Sequence, residues 1–235
     1  MQGRLPGDLC GGMNAVRLPL VRAVVFAVMV AGAFWPLSLS AAEAKEDSIR
    51  LLNTVEFRGA LKNMPKWQRV VAAEQRSRTF DSDLSQLMRG SLHKQWLQLV
   101  DRVKDASDLD KAKAVSAFFN RWPYRTDMAV YKVEDYWATP AEFLVKSGDC
   151  EDFAITKLYA LVKLGVDPES MRVVALKDTI RNLAHAVMVI YTNGDAYVLD
   201  NLTDMVLSHA RYQHYYPQYS INEVYRWAHV RPKKK

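Results

Sequence analysis

The dipeptide Asn193-Gly194, set between two runs rich in β-branched and aromatic residues (Ala184 to Tyr191 and Ala196 to Asn201), constrains the fold of this chain more than any other feature. Such a dipeptide between such runs predicts a two-residue type I′ hairpin, because both central residues must take positive φ. The turn sets the register: Val189 faces Val198, Val187 faces Asp200 and His185 faces Leu202. His185 and Asp200 then fall on one face as diagonal neighbours, about 7–8 Å apart at the backbone and within reach of an imidazole and a carboxylate. A four-residue loop from Thr192 to Asp195 keeps this register, whereas a bulge would break it. On its own, such a pair reads more simply as a buried strand histidine satisfied by a nearby acid.

From Ser48 to about Asn120 the apolar spacing is mostly helical, as in Trp67, Val70 and Val71 and again in Trp96, Leu99, Val100 and Val103. Trp122-Pro123-Tyr124 ends this region, and Pro140 opens the next turn or helix. A helix is expected from Cys150, with Asp149 as N-cap, Asp152 at N3, and Gly165 and Pro168 marking its stop. Arg172 to Leu176 reads as another strand. The expected class is α+β, a helical N-terminal half packed on an antiparallel sheet.

At 49% hydrophobic and 25% charged, the 235 residues match an ordinary globular composition and exclude disordered, collagenous and coiled-coil classes. Two cysteines cannot build a disulfide scaffold or a four-cysteine zinc site, and the spacings of His93, His209, His214 and His229 match no zinc motif. The net charge of +6 is not a nucleic-acid signature. Without residues 1–42 the chain has 29 basic and 25 acidic residues, and Lys233, Lys234 and Lys235 supply three of the difference. No nucleic-acid partner is expected.

Arg17 and Arg22 precede the apolar stretch Ala23 to Trp35, which is followed by Pro36 and the small residues Ser40-Ala41-Ala42-Glu43-Ala44. This is the pattern of a cleaved secretory signal peptide, residues 1–42, ahead of a single domain over 43–235. An uncleaved anchor is the alternative, but 13 apolar residues rise only about 20 Å as a helix, short of a ~30 Å hydrocarbon core. Translation from Met13 would lose nothing such a peptide needs. Cleavage removes Cys10 and leaves Cys150 as the one thiol of an exported protein, to be paired with another molecule, buried or used.

Every neighbour in Gly148-Asp149-Cys150-Glu151-Asp152 is glycine or an acid, a poor setting for a small buried hydrophobe. A cysteine in the first turn of a helix feels the positive end of the macrodipole and free backbone N–H groups, which favour the thiolate and can receive an oxyanion. Cys150, His185 and Asp200 in that order suggest thiol nucleophilic catalysis. The three adjacent acids oppose thiolate formation. Either His185 as imidazolium or a hard divalent cation such as Ca²⁺ would offset them. The residues alone do not separate capping carboxylates from a metal site.

At these positions the sequence resembles the bacterial transglutaminase-like cysteine proteinases of the periplasmic LapG type. The resemblance rests on Asp135 to Leu144, Gly148 to Ala154, His185-Ala186-Val187, Leu199-Asp200-Asn201 and Tyr219 to Glu223, in the family's order. It implies a papain-like or transglutaminase-like core, with Cys150 as nucleophile, His185 as general base and acid, and Asp200 as orienter. It also implies a calcium site at Asp149 and Glu151, with Asp152 as a further candidate. A periplasmic protease that cuts a large surface adhesin near its N-terminus and releases biofilm cells is the implied function. An inner-membrane cyclic di-GMP receptor is the implied inhibitory partner. Backbone N–H at Cys150 is the expected oxyanion donor, with Tyr136 and Trp137 as side-chain candidates that read more simply as core. A transglutaminase transferring the acyl group to an amine, or a non-catalytic periplasmic binding module, are the alternatives.

Overall fold

The computed structural model describes residues 49–81 and 83–232. The expected export segment, with Cys10 and Met13, lies outside them, as do Lys233, Lys234 and Lys235. Strand β1 (Val55–Ala60) is followed by helices α1 (Pro65–Ser77), α2 (Leu92–Val103), α3 (Asp108–Phe119), α4 (Asp127–Val130), α5 (Pro140–Lys146) and α6 (Cys150–Lys163). Strands β2 (Met171–Asp178), β3 (Leu183–Thr192), β4 (Asp195–Leu199), β5 (Leu207–Ser208), β6 (Tyr215–Ile221) and β7 (Tyr225–Val230) complete the order. The strands form one 7-stranded antiparallel sheet in the order β1-β7-β6-β2-β3-β4-β5. No described helix is long and apolar enough to cross a membrane.

The hairpin forms in the expected register. Asn193 and Gly194 have φ of 54° and 72°, and the β3–β4 ladder pairs Val189 with Val198 and Met188 with Leu199, where it ends. Alternate residues go to opposite faces of the sheet. Met188, Ile190 and Leu199 join the core beneath the helices, with Trp67, Trp96, Phe119, Phe143, Leu158 and Leu161. Val187, Val189, Ala196 and Val198 face a second core on the other side, closed by Leu51, Leu52, Tyr212 and Tyr215. Cover on both faces explains why β3 reads as a nearly unbroken apolar run rather than as an alternating strand.

The N-terminal half is not wholly helical. β1 pairs with β7 at the sheet's edge, its residues mostly exposed and Phe57 among them, so it carries no apolar alternation to mark it. One irregularity bears on the site. Between β2 and β6 the register moves from Ala175↔Tyr219 to Leu176↔Pro217, a bulge at Gln218 next to a proline that lacks an N–H to give. Without it, Tyr215 would share the face of Tyr219, which packs toward the helices. The bulge sends Tyr215 to the opposite face instead.

Candidate active site

α6 begins at Cys150, as the capping residues require. Asp152 is fully buried: one carboxylate oxygen accepts from Ala138 N (2.6 Å) and the other from Asp149 N (3.3 Å). Gly148 makes room for this carboxylate, since a Cβ on residue 148 would lie 2.6 Å from both Cβ and Cγ of Asp152. Gly148 also accepts from Arg125 N (2.8 Å) and bridges Tyr124, which ties the loop to the end of the helical layer. Gly148→Ala therefore displaces Asp152 from its two amides, and a loss of roughly 2 kcal/mol or more in urea unfolding is expected. A loss under about 0.5 kcal/mol would show that the loop yields freely.

The first turn of α6 packs against β3, which puts the backbone amide of Ala186 on the side of the Cys150 sulfur, where it favours the thiolate. Ala186 is the neighbour of His185 and lies just past the end of the β3–β4 ladder. His185 Nε2 bonds Asp200 Oδ1 at 3.0 Å, both side chains being buried, which realises the expected diagonal pair. Because Nε2 is taken by the carboxylate, Nδ1 is the nitrogen left for other chemistry. The remaining oxygen of Asp200 accepts from Tyr215 Oη at 2.5 Å, and Leu202 N donates to Oδ1 at 3.0 Å. Burial works against a charge on Asp200. The bonds from His185, Tyr215 and Leu202 outweigh it and hold its pKa below the usual carboxylate value. Tyr215→Phe leaves a buried carboxylate oxygen without its donor. We expect kcat/KM for the reaction at Cys150 to fall about tenfold, as a bond to a charged group is worth ~1.5–3 kcal/mol. An unchanged value would make Tyr215 mere packing.

The electrostatics at the sulfur run the other way. Burial, the charges of Glu151 and Asp149, and a Cys150 Sγ–Glu151 Oε2 contact of 3.2 Å push the thiol pKa up, against the one favourable amide of Ala186. Burial and the neighbouring acids raise Asp149 to about 9, and burial with Glu151 and Asp127 raises Asp152 to about 8 despite its amide donors. Oxygens of Asp127, Asp135 and Glu151 lie within 4.8 Å of one another, as do those of Asp127, Asp149 and Asp152. Asp127 Oδ1 and Asp149 Oδ1 are buried without a hydrogen-bond partner. Asp135 is partly balanced by Lys66 (2.5 Å), whereas Asp127 Oδ2 accepts from Tyr136 N (2.5 Å). A nest of hard oxygens with two orphaned acceptors suits a Ca²⁺ ion. Asp149 and Glu151 belong to these groups, and so does Asp152, each of whose oxygens also accepts from an amide.

Asp127, Asp135 and Tyr215 were not singled out from the sequence as site residues. Trp137 fits the core reading, packed edge-on to Trp67, whereas Tyr136 is half-buried outside the core, its hydroxyl donating to Glu142 (2.7 Å). Of the other histidines, His214 packs its ring on Tyr215 and three have hydrogen-bond partners. His229 bridges Thr54 and Ser220, His209 accepts from Leu52 N, and His93 bonds Ser85.

A family model described as bacterial transglutaminase-like cysteine proteinase matches residues 95–235. Among solved structures, Legionella pneumophila LapG is similar at 30% identity and a TM-score of 0.53, over 68% of this chain and 87% of that one. A calcium-bound structure of the same protein matches at 28% identity and a TM-score of 0.54, over 71% and 90%. An EGTA-treated one matches at 30% and 0.53, over 68% and 84%. No curated protein sequence matches significantly. The matched span contains the helix that starts at Cys150 and the hairpin with His185 and Asp200, and the chain belongs to the bacterial transglutaminase-like cysteine proteinases.

Proposed function

We propose that this protein is an exported, calcium-dependent endopeptidase that cuts the N-terminal region of a large surface adhesin and is restrained by an inner-membrane cyclic di-GMP receptor. One observation carries the catalytic part: an imidazole anchored to a buried carboxylate through Nε2 lies on the strand that packs against the helix begun by Cys150. Family membership supports cysteine proteolysis. The adhesin, the receptor and the periplasmic address come from the resemblance alone.

In this reading His185 Nδ1 takes the Cys150 proton, and Asp200 holds the ring and stabilises the imidazolium. The thiolate adds to the peptide carbonyl, and the oxyanion lies at the start of α6, where the N–H groups of the first turn have no helical acceptor. His185 returns its proton to the nitrogen as the C–N bond breaks, leaving a thioester. Water, deprotonated by the same ring, releases the acid and restores the thiol. Asp149, Glu151 and Asp127 would hold a Ca²⁺ ion, which would supply positive charge to balance the acids around the sulfur.

Incubating residues 43–235 with the N-terminal region of a candidate adhesin, with and without a calcium chelator, tests this reading. One defined cut that depends on calcium is expected, with product masses equal to the fragments plus one water. A mass increment matching an added primary amine would identify an acyl transferase instead. No cut together with tight binding would identify a binding module.

A further inference from the structure

Lys157 is fully buried in the middle of α6, among Phe153, Ile155, Leu158 and Leu161. Lysines are seldom fully buried unless they are paired, yet among the described residues no carboxylate forms an ion pair with this one. Its ammonium donates to the main-chain oxygen of Asp200 (3.0 Å) and to Ser116 Oγ on α3 (3.3 Å). It lies seven positions after Cys150, so the two share a face of α6 about two turns apart. Asn120, at the end of α3, donates to the same Asp200 carbonyl (3.0 Å), and also to Thr203 O and Asp204 Oδ1. The Asp200 peptide is thus gripped from the helical side, while its carboxylate turns to the other face toward His185 and Tyr215. A methionine would fill this apolar space with no charge to desolvate.

We infer that Lys157 is a positioning residue for the reaction: it ties the helix that carries Cys150 to the peptide of Asp200, and so fixes the carboxylate that orients His185. The inference rests on the reading of Cys150, His185 and Asp200 as a triad. Burial lowers the Lys157 pKa to about 7, against the opposing charges of Asp200 and Asp204. The grip does not depend on the protonation state, because ammonium and amine alike have an N–H to donate.

The test compares Lys157→Met, Lys157→Gln, Cys150→Ala and the core truncation Leu161→Ala, all calcium-loaded, cleaving the same adhesin fragment. Lys157→Met should keep its KM and lose about tenfold or more in kcat, the scale expected when a reacting group is slightly misplaced. Lys157→Gln, which keeps a shorter donor, should fall between Lys157→Met and wild type. Leu161→Ala should lose stability with kcat unchanged. A second readout needs no substrate. The low-field proton resonance of the His185 imidazole N–H, assigned by its loss in His185→Ala, should move upfield or vanish in Lys157→Met and persist in Leu161→Ala. A folded Lys157→Met with wild-type kcat and wild-type resonance overturns the inference. Should that variant not fold, the same two results in Lys157→Gln overturn it. Cleavage by Cys150→Ala would instead remove the triad reading itself, whatever Lys157 does.

Discussion

Cys150→Ala loses peptide cleavage by a factor on the order of 10⁴ or more, the scale seen when a covalent nucleophile is deleted from a triad. The loss falls on kcat because the sulfur forms a bond that exists only after binding. The fold should survive. Cys150 is only partly buried, and its thiol is destabilised as an anion by the acids around it, so removing Sγ opens no deep cavity and breaks no favourable charge pair. His185→Ala should be nearly as damaging. The double variant should be no worse than either single one, since neither group works without the other. Asp200→Asn replaces an acceptor with a group that can present an N–H to Nε2, which favours the wrong tautomer, and a loss of about 10³–10⁴ is expected. Mass spectrometry of the products, with urea unfolding as the control on folding, checks all of these. Cleavage by Cys150→Ala above a few per cent of wild type would end the covalent mechanism.

How far the sequence reveals this site depends on how local each constraint is. Asn193-Gly194 and a period of two are local signals, so the pairing of Val189 with Val198 and the meeting of His185 with Asp200 follow from adjacent residues. The start of α6 is similarly legible in Asp149 and Asp152. Tyr215 is not, because it reaches Asp200 only through a bulge that depends on how β6 pairs with β2. Asp127 and Asp135 belong to the segment between α3 and α5 and approach Glu151 only when the chain closes. β1 escaped notice for a related reason: an exposed edge strand has no buried face to impose alternation, and its partner β7 lies at the far end of the chain. Lys157 was hidden for the opposite reason, as one lysine among apolar residues of a helix reads as a solvent-facing position until the Asp200 carbonyl is seen above it.

Removing calcium should abolish activity and loosen the fold at the same point, and a small set of acids separates ligand from cap. Without a cation, Asp127, Asp149, Asp152 and Glu151 crowd together with two orphaned buried oxygens, and the thiol pKa is held high. A calcium-selective chelator is expected to cut the cleavage rate at least a hundredfold, with Ca²⁺ restoring it and Mg²⁺, which demands a smaller octahedral site, restoring it poorly. A ligand at a hundred times its Kd stabilises the folded state by ~2.7 kcal/mol. The melting temperature should therefore rise by about 5–10 °C in a chain of this size. Asp149→Ala with Glu151→Ala should reproduce the chelated state in both readouts. Asp127→Asn should lose most of the calcium-induced rise while melting normally in chelator. Asp152→Asn should behave differently, because its oxygens answer Ala138 N and Asp149 N rather than an ion: it should melt lower in both conditions and keep the calcium increment. If Asp152→Asn alone erases that increment, Asp152 is a ligand and the amides are secondary. If the chelator changes neither rate nor melting temperature, the acids are a helix cap and the cation has no place in the reaction.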